Sequence, residues 1–114
     1  MNAPLSFLSR KIMELLQARA RGEENAVPRE EVLAELRLFD PKLPDRTMRE
    51  LYAALPICSC EKGLYIPIRP GEVEAFKLYL AKKVGPIIAA RRVAIIYNAY
   101  PKLRPNYENQ ARLF

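Results

Sequence analysis

The 114-residue chain has no histidine and no tryptophan, and it has only two cysteines and four glycines. Without histidine or further cysteines a zinc site is not expected, and Cys58 and Cys60, two residues apart on a predicted strand, are poorly placed for a disulfide. We expect both to be small packing residues. The chain also lacks a glycine-rich phosphate loop with a lysine and a serine elbow motif, so we predict no metal, no cofactor and no enzymatic activity.

Long apolar runs are also missing. The longest, residues 84–90, is interrupted by Gly85 and Pro86 and is far shorter than the ~20 residues that a membrane span requires. Residues 1–11 lack the basic start and continuous apolar stretch of a signal peptide. We therefore expect a cytoplasmic protein without a membrane partner.

Basic residues outnumber acidic ones by 19 − 13 = 6, which favours a polyanionic partner. The charge is uneven along the chain. Residues 77–104 contain seven basic residues and no acidic one, whereas residues 23–50 contain eight acidic and five basic residues. The C-terminal part is therefore expected to carry most of the electrostatic attraction to an anionic partner.

The segment from residue 43 to residue 68 predicts a short helix followed directly by a β-hairpin. Met48, Leu51, Tyr52 and Leu55 recur at helical spacing and predict one buried face, with Asp45 as the N-cap. Residues 57–60 and 64–68 read as two short strands. The connection 61–63 predicts a three-residue loop in which the final glycine takes a left-handed conformation.

The rest of the chain predicts further helices. Apolar spacing predicts one helix over about residues 5–21 and a second over about residues 29–38. A further apolar pattern runs from residue 71 to about residue 101, where Gly85-Pro86 should break or kink the helix. Before this point the predicted apolar face is Val73, Phe76, Leu80 and Val84, and the segment after it has apolar residues at Ile87, Ile88, Val93, Ile96, Tyr97 and Tyr100.

A helix with arginines on its polar face, followed by a hairpin with a lysine at its tip, resembles the winged helix-turn-helix family over residues 6–80. The resemblance implies a short strand remnant at Ala26 and Val27, between the first two helices. The pattern Leu-Pro-Asp-Arg-Thr-Met-Arg-Glu-Leu and the Gly-Leu-Tyr step also resemble small phage or prophage winged-helix proteins. The fold class implied is mainly α with a small β-hairpin, a winged helix-turn-helix followed by a long, Gly-Pro-kinked C-terminal helix. We expect a core at 1–70, a helical extension at 71–101 that packs on the core or forms a dimer, and a flexible tail at 102–114.

The candidate DNA contacts are polar or basic residues on the predicted reading helix, the hairpin and the C-terminal helix. Arginine can pair bidentately with guanine, threonine can touch a phosphate or a thymine methyl, and lysine can contact phosphate. The candidates are Arg46, Thr47, Arg49, Lys62, Arg69, Lys82 and Lys83. The alternative for Arg46 and Arg49 is that they form salt bridges with neighbouring acidic residues.

The last five residues, 110–114, match Gln-x-x-Leu-Phe and resemble the motif with which bacterial replication and repair proteins bind the sliding clamp. In this interpretation Leu113 and Phe114 insert into an apolar pocket while the Gln110 amide makes orienting hydrogen bonds. The alternative is a tail that folds back on the domain or on a dimer mate.

Two functional interpretations follow. In the first, the protein binds double-stranded DNA as a transcriptional regulator or replication accessory factor, phage-related as the resemblance implies, and a homodimer is one possible arrangement. In the second, it is a non-enzymatic interaction module that docks on a replisome component such as the sliding clamp, or a phage inhibitor of a host machine.

Overall fold

The computed structural model describes residues 3–105, which form a mainly helical fold with one small antiparallel hairpin. This confirms the predicted mainly α class with a β-hairpin. The helices are α1 (Leu5–Arg19), α2 (Arg29–Leu36), α3 (Asp45–Ala53), α4 (Pro70–Val84) and α5 (Pro86–Ala99), and the strands are β1 (Cys58–Cys60) and β2 (Gly63–Tyr65). Short 3₁₀ turns lie at Glu23–Asn25 and Pro101–Leu103.

The first three helices pack around one core, with α1 in contact with both α2 and α3. Each contributes apolar side chains spaced three or four residues apart, because that spacing places them on one face of a helix. The buried residues of these helices are Leu8, Ile12 and Leu16 of α1, Val32 and Leu36 of α2, and Met48, Leu51 and Tyr52 of α3. The buried face predicted for the helix at residues 43–55 is confirmed at Met48, Leu51 and Tyr52, and Leu55 is partly buried.

The hairpin pairs Cys58 with Tyr65 and Cys60 with Gly63. Only Glu61 and Lys62 remain between the strands, so the predicted three-residue loop is wrong and the loop has two residues. Gly63 is the first residue of β2 rather than a loop residue. Its φ of +142° still requires glycine, because side-chain-bearing residues rarely adopt that conformation.

A third segment pairs with the hairpin and fixes its place on the domain. The Val27 amide donates to the Leu64 carbonyl at 2.9 Å, and the Leu64 amide donates to the Val27 carbonyl at 2.8 Å. This confirms the predicted strand remnant at Ala26 and Val27. The Ile66 amide donates to the Ala20 carbonyl at 2.8 Å, so the chain after α1 is extended and α1 ends earlier than predicted.

The break predicted at Gly85-Pro86 is present, so α4 and α5 are separate helices divided at Gly85, whose φ is +96°, and not one long kinked helix. The Tyr97 hydroxyl of α5 donates to the Glu74 carboxylate of α4 at 3.1 Å, so the two helices run antiparallel. They pack on each other, and α4 also packs on β1. Val84, predicted on the apolar face of the first segment, is 47% exposed, and Ile87 and Ile88 at the turn between the helices are also exposed. No helix within residues 3–105 is long and apolar enough to cross a membrane.

The Glu72 carboxylate joins the start of α4 to two distant segments. It is 7% exposed and accepts hydrogen bonds from the backbone amides of Ile68 (2.8 Å), Arg69 (3.1 Å) and Glu23 (2.5 Å). Backbone donors at the start of a helix have no partner within the helix, so a carboxylate at this position satisfies them. Glu72 therefore fixes α4 relative to the hairpin and to the turn after α1.

Both cysteines are free, and Cys58 is buried whereas Cys60 is half-buried. Burial raises the pKa of the Cys58 thiol to about 12, and burial likewise raises the pKa of its strand partner Tyr65. The folded protein therefore holds the neutral thiol, while the unfolded chain ionises near its ordinary value of 9.0. The contribution of this raised pKa to the free energy of unfolding is fully present below pH 9.0. It is lost as the pH rises from 9.0 toward about 12.

We expect the free energy of unfolding to fall by about 1.4 kcal/mol from Cys58 alone between pH 8 and pH 10, since one pKa unit corresponds to about that energy. Urea unfolding at both pH values measures the change. In Cys58→Ala the alkaline loss should shrink by this amount, leaving the contribution of Tyr65. An unchanged pH dependence in Cys58→Ala would contradict the assignment to the thiol.

Candidate nucleic-acid interface

The outer face of α3 carries Arg46 and Arg49 exposed to solvent, and each forms a surface ion pair. Arg46 Nε lies 3.3 Å from the Glu50 carboxylate, and Arg49 Nη2 lies 2.6 Å from the Asp45 carboxylate. Asp45 is the first residue of the helix and makes no capping bond, so its prediction as the N-cap is wrong. Exposed pairs at this spacing contribute only about 0.3–0.5 kcal/mol, so both arginines can exchange their partner for a phosphate or a base.

A cleft of about 570 Å³ lies between the start of α2, the side of α3, the hairpin tip and the turn between α4 and α5. We call it the basic cleft, because five basic side chains line it against two acidic ones, Glu30 and Glu61. The basic residues are Arg29, Arg49, Lys62, Lys83 and Arg92. Three of the predicted DNA-binding residues, Arg49, Lys62 and Lys83, therefore meet at one place.

Arg92 of α5 is the buried member of this group. Its side chain is 8% exposed, and its Nε and Nη2 atoms have no hydrogen-bond partner in the part of the chain that the structure describes. The guanidinium carbon lies 5.1 Å from the ring centre of Phe76 and 5.9 Å from that of Tyr52. Burial lowers the pKa of Arg92, but an arginine keeps its charge at neutral pH.

No ion pair within residues 3–105 compensates the charge of Arg92. Burying an unpaired ion costs several kcal/mol, whereas contacts with two aromatic rings return about 1–2 kcal/mol each at best. The protein therefore maintains an uncompensated positive charge at the inner wall of the basic cleft.

Aromatic rings hold two further cations at this cleft. Arg29 Nη1 donates to the Tyr52 hydroxyl at 3.3 Å, which raises the pKa of Arg29. Lys83 Nζ lies 4.6 Å from the ring centre of Tyr79. Because these cations pair with neutral rings rather than carboxylates, their charge remains available to an anion in the cleft.

The other predicted contacts lie elsewhere. Arg69, at the base of the hairpin, donates through both terminal nitrogens to the Glu24 carboxylate at 3.3 Å, and this pairing raises the pKa of Arg69 and lowers that of Glu24. Arg46, Thr47 and Lys82 do not line the basic cleft. Gln110, Leu113 and Phe114, predicted to bind a partner, lie outside the described residues.

The sequence contains a signal for the burial of Arg92. Arg92 follows Ala89 by three residues and precedes Ile96 by four, so it shares the buried face of α5 with both. The charge pattern identifies it only as one of the basic residues of the C-terminal part. A charged residue at an apolar position of a helix indicates a site that needs its charge.

Within residues 3–105 no group of three or more His, Cys, Asp or Glu side chains is placed to hold a metal ion. The candidate interface is therefore a cationic surface that includes the basic cleft. No protein-family model matches the chain, and comparisons with curated proteins and with solved structures found no match either.

Proposed function

We propose that this protein is a non-enzymatic winged-helix protein that binds duplex DNA, as a transcriptional regulator or replication accessory factor of phage-related origin. The order of the elements supports the proposal: α1, a strand remnant at Val27, α2, α3, and a hairpin that pairs with that remnant. In a winged helix, α3 is the reading helix and the hairpin is the wing. An α-helix fits the major groove, where arginine reads guanine.

The observation that carries the proposal is that α3 and the hairpin tip present cationic side chains side by side. Arg49 of α3 and Lys62 of the hairpin line the same cleft, and Arg46 is 90% exposed on the same helix. Phosphates attract this arrangement without regard to sequence, and arginines on the outer face of α3 can add base contacts. The weak ion pairs of Arg46 and Arg49 do not oppose such contacts.

We also propose that a second copy of the chain pairs through the exposed end of the α4 and α5 hairpin. Large aliphatic side chains are exposed there, and burying them would remove apolar surface from water. They are Ile87 at that end and Leu78 further back on α4; Val84 and Ile88 are also exposed, but they line the basic cleft and are not part of the proposed contact. A pair of copies would present two reading helices to successive turns of DNA.

The Gln-x-x-Leu-Phe match at residues 110–114 supports a second candidate function, docking on the bacterial sliding clamp or another replisome protein. An inhibitor of a host machine would use the same kind of contact. These partners rest on the sequence motif alone, whereas the cationic face of α3 and the hairpin argues for DNA.

The combined variant Arg46→Ala and Arg49→Ala tests the DNA proposal. We expect affinity for a selected duplex to fall roughly 100-fold, since each arginine contact to a base is worth about 1–3 kcal/mol. Fluorescence anisotropy of the labelled duplex measures the loss. The matched control is Arg10→Ala with Arg104→Ala, which removes the same charge from exposed positions outside the basic cleft. Equal losses in the two double variants would contradict a reading role for α3.

A further inference from the structure

The basic cleft is more than a charged surface, because the most buried of its five cations has no acidic partner among the described residues. Arg92 is over nine-tenths buried and its Nε and Nη2 atoms make no hydrogen bond within residues 3–105, although buried polar atoms almost always do. Phe76 and Tyr52 contact the guanidinium but carry no negative charge. A buried unpaired charge at the wall of an open recess indicates a ligand of opposite sign.

We propose that the basic cleft binds a phosphate group, with Arg92 as its inner ligand. Lys83 and Lys62, from the end of α4 and the hairpin tip, line the same cleft and are placed to close on the anion from the outside. Phosphate suits this set because it carries up to two negative charges and several acceptor oxygens. Arginine and lysine both donate charge-assisted hydrogen bonds to such an anion.

The size of the cleft indicates that the phosphate is part of a larger molecule. About 570 Å³ lies within the range of small-molecule sites and exceeds the volume of a single phosphate. The rings of Tyr52 and Tyr79 add flat apolar surface to the lining. The phosphate can come from the DNA backbone or from a diffusible phosphorylated ligand, and both sources present the same group to Arg92. The site does not depend on the proposed DNA function.

The test is an NMR titration of the ¹⁵N-labelled full chain with sodium phosphate at pH 7, with sodium chloride holding the ionic strength constant. We expect saturable shifts in the amides of the hairpin tip and the end of α4. Lys83→Gln should weaken phosphate binding about tenfold, as expected for a lost charge-assisted contact. Lys82→Gln is the matched control, because Lys82 is the exposed neighbour that does not line the cleft, and it should change affinity less than about twofold.

Arg92→Met provides the second variant. It keeps the apolar stem, removes the unpaired charge, and should abolish saturable phosphate binding while the protein remains folded. If Arg92→Met does not fold, the comparison of Lys83→Gln with Lys82→Gln still tests whether the basic cleft binds phosphate. Non-saturable shifts in the wild-type protein, or equal losses in the two lysine variants, would overturn the proposal.

Competition then identifies the source of the phosphate. Anisotropy of a labelled duplex is measured with and without sodium phosphate at constant ionic strength. If phosphate displaces the duplex, the DNA backbone fills the cleft; if both bind together, the site serves a diffusible ligand. A protein that binds phosphate but no duplex would contradict the proposed DNA function and leave the phosphate site standing.

Discussion

Gly63→Ala is expected to lower the free energy of unfolding by about 4 kcal/mol, which is close to the whole stability of a small domain. Two costs combine at this position. The φ of +142° is strained for any residue with a side chain. An added Cβ would also overlap the Val27 carbonyl and lie 2.7 Å from Pro28 N, where only backbone could move away. The third segment would be forced off the hairpin.

Urea unfolding followed by circular dichroism measures this loss. Gly71→Ala is the matched control, because Gly71 lies in the first turn of α4, has no positive φ, and has no atom within 4 Å of an added Cβ. That variant should be neutral or more stable by up to about 1 kcal/mol, since alanine restricts the unfolded chain. A Gly63→Ala protein within about 1 kcal/mol of the wild type would show that the hairpin does not lie this close to Val27.

Glu72→Ala is expected to lower the free energy of unfolding by about 3 kcal/mol, because three backbone donors would lose their acceptor in a largely buried place. The donors belong to Glu23, Ile68 and Arg69, so the loss loosens α4 from both the hairpin and the turn after α1. Since Arg92 reaches the basic cleft through the packing of α5 on α4, we expect phosphate affinity to fall as well.

Glu74→Ala supplies the control for this prediction on the same helix. Its carboxylate is exposed and accepts one hydrogen bond, from the Tyr97 hydroxyl, so the loss should stay below about 1 kcal/mol. Urea unfolding of both variants compares the loss in free energy of unfolding at the buried carboxylate with the loss at the exposed one. Similar losses in both would contradict the role assigned to Glu72.

The helices and the hairpin could be predicted from the sequence because their signals are local. Apolar spacing predicted α1, α2 and α3 within a few residues, and the winged-helix resemblance implied the strand remnant at Val27. The errors involve contacts between distant segments. The shorter loop at Gly63 depends on which residues pair across the strands, and the exposure of Val84 depends on how sharply the chain reverses at Gly85.

The candidate site was predictable only in part. Arg49, Lys62 and Lys83 were chosen for their charge and helical position, and the fold brings them to one cleft. That convergence could not be read from the sequence, because it depends on α4 and α5 folding back beside α3. The site role of Arg92 was missed because the prediction used only its positive charge. Its position on the apolar face of α5, which predicts burial, was not taken into account. Glu72 stands three residues after the N-cap of α4, a position where glutamate commonly caps, so its role was available locally.

The measurement that tests the central claim most directly is fluorescence anisotropy of mixed-sequence duplex DNA titrated with the wild-type protein from low to physiological salt. If α3, the hairpin and the basic cleft contact phosphates, affinity falls as salt rises, with a log–log slope of about −2.7 to −3.6 for three or four phosphates neutralised. No binding at low salt, or binding that does not change with salt, would contradict the claim that this cationic face binds DNA.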